Sequence, residues 1–318
     1  MRGVHAGSRA SPRSDRHARV MAMTTLVQTW ETAGAGEQAA FPDTHRYLLT
    51  DASQLPINAA PWRDLIAQGQ VRNVLDGQPE ASDPEVCALL CDYRAPHVPA
   101  LLERHLARRP FAFLSLVSVY PLDELAAKLG VRTRVMLPDD RDGLLRFYDA
   151  AVFQTLAGAL SESRYQALLS PCVSWTYVGR DGVIGTARHP RRHERIFYAR
   201  VDARELDALR RDSRPDAVIA ELRRNGRIAV DADPFETYAG MRNLFGILDA
   251  QGLQDERLAY RIAATLAMVG HVQLGDTIVA ECIEAHRNDH DALCDALLDR
   301  LIEHDDARVE EPEQEARR

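Results

Sequence analysis

The sequence predicts an α/β (α+β) fold, with a mixed sheet and flanking helices in an N-terminal domain and an all-helical C-terminal domain. Short apolar runs that are typical of strands are interspersed with helical patterns as far as about residue 185. From residue 202 onward, the apolar residues recur at helical spacing instead. The length of 318 residues exceeds that of one ordinary domain, so two folded units are expected.

Strands and helices are interspersed in the predicted N-terminal domain, which spans residues 43–185. Helices are expected to begin near Pro61, Val98 and Pro121, because proline is tolerated in a first helical turn and apolar residues follow on one face. Gly130 is expected to end the third of these helices as a C-terminal cap. Apolar runs predict strands at 46–51, 71–75, 86–90 and 111–117.

A hairpin and a further helix are predicted next. β-Branched residues alternate with arginines over 131–137, and an acidic turn at 139–143 leads into a second strand at 144–148. Asp149 stands directly before a predicted helix at 152–160, where its carboxylate can accept hydrogen bonds from the first turn. The order of these elements therefore predicts a sheet with helices packed against it.

Composition predicts the remaining segments. Residues 186–201 are polar and basic, which indicates a linker that ends in one candidate strand, and residues 202–304 form the predicted helical domain. Residues 1–42 are expected to be mostly disordered, because Gly, Ser, His and Arg interrupt the apolar pairs at their start. The acidic tail at 305–318 is expected to be solvated, since it is too charged to pack.

Charge and cysteine content limit the classes of function. A formal net charge of -8 argues against a general nucleic-acid binder, which usually carries a basic face. The first 23 residues lack the apolar block of a secretory signal, and no run approaches the ~18 apolar residues of a membrane span. Met21 and Met23 are alternative translation starts to Met1. We expect a cytoplasmic protein whose five cysteines are reduced, because none forms a C-x-x-C pair.

Four potential metal ligands near the C-terminus are spaced by four residues: Cys282, His286, His290 and Cys294. They could form a zinc site that serves a metal-dependent hydrolase. On one straight helix, however, successive ligands drift by roughly 40°, so four of them converge poorly. Asp289 also resembles the start of a new helix, which would separate the two pairs. Structural cysteines with surface histidines are the favoured interpretation, and no metal is expected.

No other pattern points to catalysis. The sequence contains no G-x-S-x-G, H-E-x-x-H, P-loop or glycine-rich dinucleotide motif, so no catalytic residue and no cofactor is predicted. A basic cluster could contact phosphate, a nucleic acid or an acidic protein, but a solvated loop is the favoured interpretation because its charges repel one another. This cluster consists of His189, Arg191, Arg192, His193 and Arg195.

Charged and aromatic residues near the middle of the chain form a candidate partner-binding set, which consists of Arg146, Tyr148, Asp149, Trp175 and Tyr177. Tyrosine and tryptophan dominate the energetics of protein interfaces. The structural alternative is an arginine held by a carboxylate, with Asp149 as a helix cap. Trp175 lies in an alternating run that is typical of a half-exposed strand, so this side chain could equally belong to the core.

Several blocks of sequence resemble the DUF4123 family. The resemblance covers residues 47–181, and the order of the R-F-Y-D block and the later tryptophan carries most of it. Ala150 and Ala151 depart from the Pro-Arg that often follows the aspartate in this family. The blocks are H-R-Y-L-L-T-D-A at 45–52, L-L-R-F-Y-D at 144–149, the helix at 152–160 and L-L-S-P-C-V-S-W at 168–175.

The resemblance implies an adaptor or chaperone of bacterial type VI secretion that has no catalytic activity. Such a protein would bind the N-terminal region of a toxic effector in the cytoplasm and promote its loading onto the VgrG spike. It would bind no nucleic acid and no membrane. The alternative from another class of function is the metal-dependent hydrolase that would use the Cys/His pairs.

Overall fold

The computed structural model describes residues 12–56, 62–82, 88–189, 200–229, 231–268 and 276–315. The chain divides into two compact units, Met1–Leu206 and Asp207–Arg318, and the division falls inside one helix. The predicted fold class is confirmed. The first unit contains a six-stranded sheet with helices, and the described elements of the second unit are helices.

The first unit contains α1 (Pro12–Ala40), β1 (His45–Asp51), α2 (Trp62–Ala67), β2 (Val71–Asn73), β3 (Ala88–Asp92), α3 (Val98–His105), β4 (Phe113–Ser118), α4 (Leu122–Arg132), β5 (Arg134–Met136), β6 (Asp142–Leu144), α5 (Ala150–Ala159), α6 (Glu162–Leu169), β7 (Ser174–Val178) and β8 (Ile184–Arg188). Helix α7 (Ala203–Arg224) contains the division. The second unit continues with α8 (Pro234–Ala250), α9 (Glu256–Met268), α10 (Asp276–Ala285) and α11 (His290–Glu315).

The sheet has the strand order β2-β3-β1-β4-β7-β8, and each of these neighbouring strand pairs is antiparallel. The sheet is thus antiparallel rather than mixed. Helix α3 does connect two strands that run in the same direction, β3 and β4, as the alternation of strands and helices suggested. Because β1 is inserted between them and runs the opposite way, no parallel pair results.

Helices cover both faces of the sheet. Helix α1 contacts β1, β4, β7 and β8, whereas α4 contacts β2 and β3, and α5 contacts β7. All six residues of the central strand β4 are buried, which confirms the prediction of a strand covered on both faces. Side chains alternate along β7, so Trp175 points towards α5 while Ser174 and Thr176 point to the face that α1 covers.

Helix α1 occupies a segment that the sequence predicted to be mostly disordered. Over residues 25–40, its only buried residues are Trp30, Gly34 and Glu37, which lie on one side at positions i, i+4 and i+7. Because Trp30 is the single large apolar side chain on this buried side, the sequence of the helix shows no recognisable amphipathic pattern. Contacts with the sheet stabilise this helix, and such contacts are not visible in the local sequence.

The predicted hairpin forms, but its second strand is displaced. Strand β6 (Asp142–Leu144) pairs with β5, while residues 145–149 form no strand. A turn follows β6, in which the Asp149 N–H donates to the Arg146 carbonyl at 3.0 Å. Within this turn, the adjacent Phe147 and Tyr148 are both fully buried.

Gly130 lies inside α4 rather than at its end. A Cβ atom at this position would lie 2.6 Å from the carbonyl oxygen of Val74, so the glycine permits a close approach of the helix to the chain after β2. The helix ends after Arg132, two residues later than predicted.

The second unit has its own apolar core, formed by the facing sides of its helices. Buried leucines, isoleucines and phenylalanine recur at helical spacing, as predicted for residues 202–304. Helix α11 continues to Glu315, so it includes most of the predicted solvated tail. Among the described residues, no helix is both long and apolar enough to span a membrane. The core contains Leu222, Phe245, Leu248, Leu258, Ile262, Ile283, Leu293, Leu297 and Leu301, among others.

Candidate partner-binding site

An ion pair between Arg146 and Asp51 joins the block at 144–149 to the block at 45–52. Arg146 Nη2 lies 2.8 Å from Asp51 Oδ2 and 3.2 Å from Ser53 Oγ. The Asp51 side chain is fully buried and also accepts from the Ser53 N–H at 3.2 Å and from Gln54 Nε2 at 3.1 Å. Burial lowers the pKa of Arg146, but the Asp51 carboxylate outweighs this effect and raises it. We call Asp51 and Arg146 the clamp, because they tie the end of β1 to the turn before α5.

Asp149 caps α5, as predicted. Its Oδ1 accepts from the backbone N–H groups of Ala151 at 2.8 Å and Val152 at 3.4 Å. Ala150 is fully buried and Ala151 nearly so, which leaves little room for larger side chains after the cap. The structural alternative for this block, an arginine held by a carboxylate beside a helix cap, is therefore confirmed.

Trp175 and Tyr148 are core residues and present no surface to a partner. Both are 0% exposed. The Trp175 ring stacks on Phe153 with centroids 5.1 Å apart, and its Nε1 donates to the Leu169 carbonyl at 3.1 Å. Burial also raises the pKa of Tyr148 above its usual range. Neither side chain is exposed in the free chain, so partner binding by Trp175 and Tyr148 stays a prediction. The strand around Trp175, which was predicted to be half-exposed, is covered by α5, and alternation in the sequence does not reveal such a cover.

Tyr177 retains partial exposure. Its ring meets Phe153 edge-on, with centroids 5.3 Å apart, and burial raises the pKa of its hydroxyl. A Cβ atom at Gly185 would lie 2.6 Å from this ring, so the glycine in β8 makes room for it. Tyr177 and the partly exposed Arg146 stay predictions as partner contacts.

Strand β1 contains a buried cation, Arg46, that was not predicted from the sequence. Arg46 is 7% exposed, and its Nε donates to Ser115 Oγ at 2.8 Å. Its Nη1 lies 3.2 Å from Glu31, and its guanidinium lies 3.5 Å from the centre of the Tyr93 ring. An arginine within an apolar strand was the available signal. Its carboxylate partner lies in α1, a segment predicted to be disordered, so the pair was not recognisable.

The Cys/His series divides between two helices. Cys282 is buried on α10, and Asp289 starts α11 by accepting from the N–H groups of Asp291 at 3.1 Å and Ala292 at 3.0 Å. The predicted helix boundary is thus confirmed. Within the part of the chain that the structure describes, no group of three or more His, Cys, Asp or Glu is placed to hold a metal ion.

The predicted basic cluster can be placed only at its first residue. His189 is 3% exposed, and its backbone N–H donates to the Val173 carbonyl at 3.1 Å. Residues 190–199, which contain the rest of the cluster, lie outside the described residues, as does most of the candidate strand at 196–201. Arg200 forms an isolated parallel bridge with Met136.

Thiol labelling of the native protein checks the cysteine environments. Burial raises the pKa of Cys91 to about 12 and raises that of Cys172 further. At pH 8 we expect both thiols to resist iodoacetamide, while the half-buried Cys294 is alkylated before either of them. Mass spectrometry of tryptic peptides measures the order. Labelling of Cys91 or Cys172 before Cys294 would contradict these positions.

The second unit contains a cavity of about 310 Å³. The described residues that line it include no serine, cysteine, histidine or aspartate. Arg214 stacks on Phe245 at 4.5 Å within this lining and pairs with Asp249 at 2.9 Å. Its remaining lining residues are Ala217, Val218, Glu221, Glu256, Arg257, Tyr260 and Arg261.

Residues 46–167 match the model of the family described as Domain of unknown function (DUF4123). The match runs from β1 to α6 and contains both residues of the clamp. It supports the predicted family for the α/β part of the chain. Searches among curated proteins and among solved structures found no match.

Proposed function

We propose that this chain is a non-enzymatic adaptor of type VI secretion. It binds the N-terminal region of a toxic effector in the cytoplasm and promotes its loading onto the VgrG spike. The match of residues 46–167 to DUF4123 is the observation that carries this proposal. The adaptor role itself follows from what the resemblance to this family implies.

Two aspartates within the blocks that resemble DUF4123, Asp51 and Asp149, have structural roles. The Asp51 carboxylate is fully buried and saturated with donors, and Asp149 is used as a helix cap. Neither carboxylate is available to act as a general base. Among the described residues, no observation favours the metal-dependent hydrolase.

The sheet of the first unit provides surfaces for such a partner. Among the described residues, β8 pairs only with β7, so its outer edge has unpaired backbone groups. Its residues are half-exposed or exposed, and Val183 just before it is 63% exposed. An edge of this kind can accept an extended segment of a partner as an additional strand.

Two experiments test the proposal. Purification of the tagged chain tests whether it binds a toxin, and deletion of its gene tests whether that toxin needs it for secretion. We expect the chain to copurify one toxin through the toxin's N-terminal region, and its deletion to abolish secretion of that toxin but of no other. A plasmid copy of the wild-type gene should restore secretion and serves as the control. Unchanged secretion of every toxin would contradict the adaptor role, and stoichiometric zinc in the purified chain would favour the hydrolase.

A further inference from the structure

The face of the sheet under α1 buries several polar side chains among apolar ones such as Leu48 and Val117. The polar side chains come from three neighbouring strands, namely Arg46 of β1, Ser115 of β4, and Ser174 and Thr176 of β7, and each is at most 7% exposed. The opposite face carries Trp175 and other apolar residues against α5. Buried layers are normally apolar, because an unpaired polar group loses its hydration.

Two ion pairs hold α1 on this face. Glu31 pairs with Arg46 at 3.2 Å, and Glu37 pairs with Arg188 at the edge of the sheet. Glu37 raises the pKa of Arg188 through their hydrogen bond. Between the two glutamates, Gly34 lies directly over the Arg46 guanidinium, where a Cβ atom would be 2.1 Å from Nη2.

The fit between α1 and the face is incomplete. Arg46 bonds Glu31 through Nη1 only, and its buried Nη2 has no hydrogen-bond partner among the described residues. Within the same part of the chain, Ser174 Oγ and Trp30 Nε1 are also buried without a partner. A carboxylate positioned for both terminal nitrogens of Arg46 would form the stronger, bidentate pair. The face therefore suits a helix whose carboxylate reaches both terminal nitrogens of Arg46 better than it suits α1.

We propose that this face is the docking site for an acidic helix of the bound partner, and that α1 occupies it in the free chain as an intramolecular substitute. The proposal rests on the proposed function, because it assigns one face of the sheet to the effector segment. The partner helix would place a carboxylate at Arg46, a small residue one turn further on, and a second carboxylate towards Arg188. Binding would require α1 to leave.

Two glycines in α1 provide a matched pair of variants. Gly34→Ala places a methyl group against the Arg46 guanidinium, which is held by Ser115, Glu31 and Tyr93, so α1 should be partly displaced. Gly36→Ala adds the same methyl group where nothing lies within 4 Å. Both substitutions raise helix propensity equally, so the two variants differ only in how α1 fits the sheet.

A fluorescein-labelled peptide of residues 24–41 serves as an acidic helix added in trans to the full-length chain. In the wild-type chain and in Gly36→Ala, the tethered α1 competes at high effective concentration, so weak binding is expected. In Gly34→Ala, we expect an apparent Kd at least about 10-fold lower, because a larger fraction of the chain has an open face. The same peptide with Glu31 and Glu37 replaced by glutamine should lose this binding. Fluorescence anisotropy measures all these combinations.

The proposal would be overturned if Gly34→Ala and Gly36→Ala bound the peptide with the same Kd. It would also be overturned if Gly34→Ala bound the glutamine peptide as tightly as the unmodified peptide. If Gly34→Ala does not fold, the double variant E31Q/E37Q takes its place, since it keeps side-chain volume and removes both ion pairs. The expected result is again tighter peptide binding than in the wild-type chain, and unchanged binding would contradict the proposal. These measurements use no effector, so their failure would leave the secretion phenotype as a separate test of the adaptor role.

Discussion

Replacing Trp175 with alanine is expected to reduce the free energy of unfolding by about 3–5 kcal/mol. The side chain is fully buried, stacks on Phe153 and meets Phe147 edge-on with centroids 5.8 Å apart. Truncation would leave a cavity between β7 and α5 and would remove the hydrogen bond to the Leu169 carbonyl. Urea denaturation followed by circular dichroism measures the change.

Trp62→Ala is the control for this prediction. Trp62 is only half-buried and meets His97 edge-on, so its removal creates less cavity, and we expect a loss of less than about 2 kcal/mol. A loss in Trp175→Ala no greater than that in Trp62→Ala would show that Trp175 lies at the surface. Of the two interpretations of Trp175, core residue or partner contact, the second would then be favoured.

Replacing Arg146 with methionine is expected to reduce the free energy of unfolding by about 2–3 kcal/mol. The variant keeps most of the apolar volume but leaves the Asp51 carboxylate buried without its cation. The loss should fall below that of a fully buried pair, because the Arg146 side chain is 36% exposed. The measurement is again urea denaturation.

Arg141→Met provides the matched control for the clamp. Arg141 pairs with Asp139 at 2.5 Å, but both side chains are more than half exposed, so the effect should remain within about 0.5 kcal/mol. Combining Arg146→Met with Asp51→Asn should cost clearly less than the sum of the two single changes, with a coupling of about 1–3 kcal/mol. If the losses of the two single variants simply added up in the double variant, the interaction between Asp51 and Arg146 would contribute nothing to stability.

Local signals predicted those parts of the fold that depend on local chemistry. The apolar run at 111–117 indicated the central strand β4, because a strand covered on both faces needs few polar residues. Asp149 was recognised as a cap, since an aspartate before an apolar helical pattern satisfies the first N–H groups whatever the rest of the fold does. The boundary at Asp289 followed from the same chemistry.

Long-range partners could not be predicted in the same way. Asp51 and Arg146 are 95 residues apart, and nothing in either block identifies the other as its partner. Helix α1 depends on Arg46 and Arg188, which lie in strands of the sheet. The burial of Trp175 depends on α5, whose position over β7 is a property of the complete fold. The sequence therefore indicated which residues belong to the candidate site, but it did not indicate whether their side chains are buried or exposed.

Hydrogen–deuterium exchange of the chain, alone and bound to the toxin that copurifies with it, tests most directly whether the sheet-containing unit holds the cargo. We expect altered protection within residues 25–189, with α1 (Pro12–Ala40) losing protection while strands β1, β4 and β7 keep theirs. A stable complex in which protection changes only within Asp207–Arg318 would contradict it.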